Sequence, residues 1–203
     1  MKTKILISTG GSGGHVLPAL AFCEHLKENF DVFISSDKRG SKFIQSKSEN
    51  LKIINVMPLT KNFLTLPWNI LLFIFGIIKS VILIKKNKIK IIISTGGYMS
   101  LPVCIAAKIL SCKIILFEPN IVIGRANLFL LNSSSFIFCY SKKIINFPNK
   151  FKNKLKLIPP LLRKELYLEK RNDYKTLSKT VKILIIGGSQ GADFFQKKLK
   201  DLI

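Results

Sequence analysis

Residues 5–20 read ILISTGGSGGHVLPAL, and this stretch decides the fold. Three apolar, β-favouring residues, Ile5, Leu6 and Ile7, lead into a glycine-rich segment, and an apolar pattern of helical spacing begins at His15. This order predicts a buried strand, a glycine turn and the N-terminus of a helix. Glycine lets the turn adopt positive φ angles and approach a ligand closely, and the free N–H groups at a helix start favour a phosphate or diphosphate.

Two further stretches repeat this pattern. Residues 94–98 (STGGY) follow the apolar run IKIII, and residues 187–192 (GGSQGA) follow VKILII. Strand-like and helical segments alternate along the chain, which predicts an α/β fold with a doubly wound, Rossmann-like parallel sheet. Because ligands of such sheets bind outside the carboxyl ends of the strands, we expect the first two glycine turns and the residues after the strand at 113–117 to converge on one crevice.

The composition favours an anionic partner. The 203 residues carry a formal net charge of +22, and lysine supplies most of the basic side chains. Nucleic-acid readers rely on arginine, so we expect an anionic membrane surface or a phosphorylated substrate, and no nucleic acid. Four cysteines without CxxC spacing and two histidines provide no metal-ligand cluster. We therefore expect no metal, no cofactor and a reducing, cytoplasmic location.

The domain organisation is predicted from shifts in pattern. Residues 38–48 are expected to form a helix and residues 51–56 a third strand. Residues 164–180 are polar and lack apolar periodicity, which predicts a linker. We expect an N-terminal domain over residues 1–163 and the first strand and helix of a second Rossmann-like domain over residues 181–203. One such unit cannot bury its own apolar face, so the second domain is expected to be truncated.

Residues 63–84, FLTLPWNILLFIFGIIKSVILI, form an apolar segment long enough to span a bilayer as a helix. Two alternatives to an interfacial helix stay open. One is a wide helix buried in the core, and the other is a spanning helix, which would separate two strands that must lie in one parallel sheet. A helix lying in the membrane interface is favoured, because its apolar surface exceeds what one sheet face needs and lysines flank it. The expected membrane patch comprises Trp68, Leu72, Phe75, Lys79, Lys85 and Lys86.

Four ordered motifs resemble the MurG family of N-acetylglucosaminyl transferases. They are GGSGGH at residues 10–15 with Pro18-Ala19-Leu20, Gly96-Gly97-Tyr98 with Ser100, Glu118 with Asn120, Gly124 and Asn127, and GGSQGA at residues 187–192. The resemblance implies a two-domain enzyme with the GT-B fold that acts in peptidoglycan synthesis and thereby in cell shape and cell division. It also implies a peripheral location on the cytoplasmic face of the inner membrane. It implies transfer of N-acetylglucosamine from UDP-GlcNAc, with inversion, to the 4-hydroxyl of the MurNAc unit of lipid I, an undecaprenyl-diphosphate-linked acceptor, which forms lipid II.

The resemblance also implies site residues. It implies that the first two glycine loops hold the acceptor diphosphate. The second of these loops contains Gly96, Gly97 and Tyr98. The family positions that contact the UDP-sugar match Ser12, Gly13, Gly14, Asn120, Arg163 and Ser189. His15 matches a candidate for the catalytic base or a phosphate contact. The sequence departs from the family pattern at residues 117–119 (FEP) and at residues 159–163 (PPLLR).

Alternatives stay open at both catalytic candidates and for the chain as a whole. His15 is interpreted as a general base, a phosphate contact or a structural cap, and Glu118 as a second candidate base or a carboxylate that braces its loop. A non-catalytic membrane-associated subunit, or the remnant of a split gene, is the second interpretation of the chain. A nicotinamide dinucleotide oxidoreductase is the third, with Asp37 as its ribose-binding acid, although Val16 stands where the third glycine of that fingerprint belongs.

Overall fold

The computed structural model describes residues 2–44, 50–54 and 65–168. The chain divides into two compact units, Met1–Lys164 and Glu165–Ile203. Of the second unit, residues 165–168 are described. Residues 169–180 of the predicted linker and the predicted second domain at residues 181–203 lie outside the described residues.

A seven-stranded, all-parallel sheet forms the centre of the first unit. Its strands are β1 (Lys4–Ser8), β2 (Asp31–Ser36), β3 (Leu51–Ile53), β4 (Ile91–Ser94), β5 (Lys113–Glu118), β6 (Phe136–Cys139) and β7 (Leu155–Leu157). They are arranged in the order β3-β2-β1-β4-β5-β6-β7. The order changes direction between β1 and β4, which is the topological switch point of a doubly wound sheet. The predicted α/β, Rossmann-like fold is confirmed.

Helices and loops enclose two apolar layers, one on each face of the sheet. The helices of the first unit are α1 (Gly13–Leu26), α2 (Leu66–Asn87), α3 (Leu101–Ile109) and α4 (Arg125–Leu130), and a short helix α5 (Lys164–Leu168) begins at the boundary of the two units. Ile5 and Ile7 of β1 share a buried cluster with Phe22 of α1, whereas Leu6 shares another with Val103 of α3. Both faces of β1 are therefore buried, which explains why its sequence is an uninterrupted apolar run.

The prediction of a helix over residues 38–48 is wrong. A single 3₁₀ turn spans Gly40–Phe43, and Ile44 is extended with φ −100° and ψ 99°. Residues 45–48 lie outside the described residues. The Asp37 carboxylate accepts the N–H of Gly40 at 2.8 Å, and this side-chain bond closes a tight turn directly after β2.

Three other boundaries differ from the sequence-based expectation. Strand β3 covers Leu51–Ile53 of the predicted residues 51–56, and residues 55–56 lie outside the described residues. Strand β7, with the sequence LKL, was not predicted because three residues are too few to show a period. The first residues of the predicted linker form α5.

Helix α2 packs apolar residues such as Phe73 and Ile77 against the core and exposes further apolar residues on its other side. Its buried residues are Asn69, Gly76, Ser80 and Ile84. Trp68 is 63% exposed and Phe75 52%. Of the expected membrane patch, Lys79, Lys85 and Lys86 are also exposed, and Leu72 is partly buried. This exposure contradicts the alternative in which the segment is a sealed core helix.

The spanning alternative conflicts with the sheet. By length and composition alone, α2 would be able to cross a membrane. However, β3 and β4, the strands before and after it, lie in the same parallel sheet. A helix that crossed a bilayer between them would place these strands on opposite sides of the membrane. The position of α2 is therefore compatible with lying on a surface and not with spanning a bilayer.

Thiol labelling tests the core. Burial raises the pKa of the Cys104 thiol to about 12, and the thiolate is the reactive species. We therefore expect maleimide at about pH 8 to modify Cys104 only after the chain is unfolded in guanidinium, as measured by peptide mapping with mass spectrometry. Cys112, which is partly buried, is the internal control. Modification of both thiols at the same rate in the folded chain would contradict the packing described here.

Candidate functional site

Two glycine turns leave the sheet at the same edge. The parallel pairing places Ser8, the last residue of β1, opposite Ser94, the last residue of β4. In the turns that follow, Gly11, Gly96 and Gly97 have φ values of +81°, +88° and +79°. Residues with a side chain rarely adopt this left-handed conformation, so these positions require glycine.

His15 lies between the two turns. It belongs to the first turn of α1, and its Nδ1 lies 2.9 Å from the carbonyl oxygen of Thr95. Because a carbonyl only accepts, Nδ1 carries the proton in this hydrogen bond, and Nε2 is the nitrogen that can accept in the neutral ring. A Cβ on Gly97 would lie 3.2 Å from Cδ2 of the ring, and one on Gly96 would lie 3.4 Å from Cε1. The predicted convergence of these segments is confirmed.

A cavity of about 770 Å³ opens beside His15 at the carboxyl ends of β4 and β5. Polar groups of His15, the second glycine turn, Glu118 and Asn120 form part of its wall. Apolar side chains from three helices form the remainder, among them Phe73 of α2, Leu101 and Ile105 of α3, and Phe129 of α4. The cavity offers hydrogen-bonding groups beside apolar surface, which suits an amphiphilic ligand.

Glu118 holds the loop that borders this cavity. The residue is 2% exposed and lies at the end of β5. Its Oε1 accepts the backbone N–H of Asn120 at 3.3 Å and the Nδ2 of the same residue at 2.9 Å. Its Oε2 accepts the N–H of Gly124 at 2.7 Å and Nδ2 of Asn127 at 3.0 Å. Since each carboxylate oxygen already faces two donors, these contacts favour the bracing role over that of a base.

The remaining glycine-loop residues lie near the predicted crevice. Ser12 occupies the N-cap position of α1, but its side chain makes no capping hydrogen bond. Gly13 and Gly14 begin the helix, where backbone N–H groups lack intrahelical partners. Tyr98 lines the cavity directly after the second glycine turn. The Ser12 hydroxyl is therefore not engaged as a helix cap.

Arg163 lies apart from these residues. The carbonyl oxygen of Leu162 lies 2.9 Å from Nε2 of His25, and the N–H of Lys164 donates to Glu24 at 3.3 Å. His25 is about 15 Å along the helix axis from His15, at a rise of about 1.5 Å per residue. The structure thus places the neighbours of Arg163 at the C-terminal end of α1, away from the glycine turns. Ser189 lies outside the described residues.

Two kinds of site residue were not predicted. Asn127, which is buried, donates through Nδ2 to the carbonyl oxygen of Phe117 at 3.0 Å as well as to Glu118. Its place in the third motif, with Glu118, Asn120 and Gly124, is the sequence signal that points to it. Phe73 and Phe129 carry no such signal, because nothing in an apolar helix marks locally which residues will face a cavity.

A family model, the glycosyltransferase family 28 N-terminal domain, matches residues 5–135. The chain belongs to glycosyltransferase family 28. Within this family it is 54% identical over 203 residues to the UDP-N-acetylglucosamine--N-acetylmuramyl-(pentapeptide) pyrophosphoryl-undecaprenol N-acetylglucosamine transferase of Pelagibacter ubique, covering 100% of this chain and 56% of the relative. The protein of the same name from Wolbachia sp. subsp. Brugia malayi is 34% identical over 203 residues, covering 98% of this chain and 54% of the relative.

Among solved structures, this family 28 chain is similar to the crystal structure of Acinetobacter baumannii MurG. The TM-score is 0.74 at 21% identity, with 97% of this chain and 56% of that chain covered. At this level of identity the likeness concerns the fold. Together with the named relatives it confirms the resemblance to the MurG family. The chain spans about half the length of the curated relatives it matches.

Substitution of Glu118 separates its two possible roles. In Glu118→Gln, an amide NH₂ replaces one of the two carboxylate oxygens. The two donors that face this oxygen lose their acceptor and meet another donor instead. We expect the free energy of unfolding to fall by about 1–3 kcal/mol, as is typical of buried groups left without a partner, measured by urea denaturation. Glu165→Gln, at an exposed position, is the matched control. Unchanged stability in Glu118→Gln would exclude the bracing role.

Proposed function

We propose that this chain is the acceptor-binding part of a glycosyltransferase. The reaction transfers N-acetylglucosamine from UDP-GlcNAc, with inversion, to the 4-hydroxyl of the MurNAc unit of lipid I and so forms lipid II for peptidoglycan synthesis. The names of the relatives support this assignment. The observation that carries it is the position of the His15 ring between two glycine turns at one edge of the sheet.

In this proposal the chain has two functional parts. Residues 1–163 form the acceptor domain, residues 164–180 the linker and residues 181–203 the beginning of the donor domain. Arg163 and Ser189 are assigned to the binding of UDP-GlcNAc, as are Ser12 and Asn120. The contacts of the neighbours of Arg163 with the end of α1 are compatible with a role in donor binding outside the acceptor cavity.

The acceptor diphosphate is proposed to bind at the two glycine turns. The N–H groups of Gly13 and Gly14, and the positive end of the α1 dipole, favour a phosphate, and Gly96 and Gly97 permit close approach. Nε2 of His15 then either donates to a phosphate oxygen or, in the neutral ring, accepts the proton of the attacking hydroxyl. Glu118 acts as a positioning residue that holds the loop in place.

Helix α2 is proposed to dock the chain on the cytoplasmic face of the inner membrane. Its exposed apolar side chains are Trp68, Ile70, Leu71, Ile74, Phe75, Ile78 and Ile82. The Lys79 ammonium lies 4.5 Å from the centre of the Phe75 ring, and Lys85 and Lys86 lie in the last turn. An apolar face rimmed by lysines suits shallow insertion among anionic headgroups.

Vesicle co-sedimentation tests this docking surface. Each lysine at an anionic surface contributes about 1 kcal/mol, so the triple variant of Lys79, Lys85 and Lys86 to Gln is expected to bind phosphatidylglycerol vesicles about 100-fold more weakly. The matched control replaces three lysines near the β7 edge, Lys150, Lys152 and Lys156, with Gln. Equal losses in both triple variants would mean that net charge alone drives binding and that α2 is not the docking surface.

The transfer reaction is tested in a fusion of this chain to the remaining C-terminal part of the P. ubique relative. We expect release of UDP from UDP-GlcNAc only in the presence of a lipid I analogue. If Nε2 of His15 is the base, His15→Ala lowers turnover by about 10²–10⁴-fold, whereas His25→Gln, whose side chain can still donate to the Leu162 carbonyl, retains it. A fusion that binds vesicles but transfers no sugar would instead support the non-catalytic membrane-associated subunit.

A further inference from the structure

Asp37, directly after β2, carries a carboxylate that the proposed reaction does not use. The residue is 6% exposed. One carboxylate oxygen, Oδ1, accepts the N–H of Gly11 and the N–H of Gly40, each at 2.8 Å. This single oxygen joins the first glycine turn to the 3₁₀ turn after β2, although the two turns are distant in sequence.

The space around this oxygen requires glycine at two neighbouring positions. A Cβ on Gly10 would lie 2.7 Å from Oδ1, and one on Gly40 would lie 2.9 Å from it. On the solvent side, Nε of Arg39 lies 3.9 Å from Oδ2 and partly balances the charge. A Cβ on Gly40 would also lie 2.4 Å from Ser36 Oγ and 2.8 Å from Gly10 Cα, so the packing around the carboxylate, independently of any ligand, explains why glycine stands at both positions.

These contacts leave Asp37 no part in binding a ribose. In the dinucleotide interpretation, an acid after β2 accepts hydrogen bonds from ribose hydroxyls. Here Oδ1 is occupied by two backbone donors in a buried position. The N–H of Gly11 is likewise engaged, so an anion at the first glycine turn meets the N–H groups of residues 12–14 instead.

We propose that Asp37 is a positioning residue for His15. The inference rests on the proposed function, in which His15 contacts the acceptor. The carbonyl oxygen of Ser12 accepts the N–H of His15 at 3.1 Å, so the glycine turn and the first turn of α1 form one continuous unit. By fixing Gly11, Asp37 sets where α1 begins and thereby where the imidazole meets the second glycine turn.

This role requires an acceptor oxygen and not a charge. Asp37→Asn keeps an oxygen that can accept both N–H groups, whereas Asp37→Ala removes it and leaves two backbone donors unpaired. Asn50→Ala is a matched control, because it removes a side-chain hydrogen bond of 3.2 Å to the Val32 carbonyl near the other end of β2. A general loss of stability would affect the control as well.

The first measurement follows the His15 imidazole by NMR in the full chain. The chain has two histidines, so ¹³C-labelled histidine gives two sets of resonances, and His25→Gln assigns that of His15. We expect Asp37→Ala to displace the His15 resonance, and Asp37→Asn and Asn50→Ala to leave it in place. If Asp37→Ala does not fold, a displaced resonance in Asp37→Asn still overturns the proposal.

The second measurement is the affinity for farnesyl diphosphate as a soluble probe. We expect it to weaken about tenfold or more in Asp37→Ala and to change by less than about threefold in Asp37→Asn and Asn50→Ala. An unchanged His15 resonance in Asp37→Ala would overturn the proposal, as would equal effects of the Ala and Asn variants. If the parent chain does not bind the probe, the proposed function fails, while the NMR comparison, which needs no ligand, still decides the role of Asp37.

Discussion

The parallel pairing of β1, β4 and β5 in one register is the constraint on which the site depends. Ile7 of β1 lies opposite Ile93 of β4, and Ile93 lies opposite Ile115 of β5. Because neighbouring strands lie about 4.8 Å apart, the turns that follow them are held close together, and His15 can reach the carbonyl of Thr95 after the adjacent strand. A slip of one residue would exchange the two faces of a strand, so the same pairing specifies both the apolar core and the glycine edge.

Helix α2 carries more apolar surface than a helix that packs one face on a core. Such a helix normally buries one apolar stripe, and α2 does pack Phe73, Ile77 and Ile84 against the core, but its opposite face is apolar as well. On the buried side the Ser80 hydroxyl donates to the Gly76 carbonyl at 2.7 Å within the helix. The helix thus satisfies its buried hydroxyl without help from the sheet. A continuous exposed apolar face is unfavourable in water, and a lipid surface would relieve this cost.

The features predicted correctly from the sequence have local signals. Within the described residues, the apolar runs before the first two glycine turns predicted a strand and a turn, and the parallel fold followed from the alternation of strands and helices. The helix predicted at residues 38–48 is a single 3₁₀ turn over the described residues, and Asp37 before it bonds to Gly11 from an earlier turn, a contact that no local pattern encodes. The role of Glu118 stayed open for a related reason. Its donors come from the loop after β5 and from α4, and no sequence pattern shows that these segments fold back onto the end of the strand. The position of Arg163 depends on a contact between Leu162 and His25, which are 137 residues apart in the sequence. No local pattern predicts such a contact.

One helix connects the proposed membrane surface to the cavity. Phe73 lines the cavity and its ring centre lies 6.0 Å from that of Tyr98, beside the second glycine turn. Phe75, two residues later and therefore about 200° around the helix axis, is exposed on the far side. If α2 rests on an anionic bilayer as proposed, the cavity wall stands about one helix diameter, roughly 10 Å, above the apolar boundary. A diphosphate that carries a membrane-embedded chain can then reach the glycine turns without withdrawing that chain from the lipid. A soluble sugar diphosphate gains nothing from this proximity, so the exposed apolar face of α2 supports the proposed lipid-linked substrate as the ligand of the cavity.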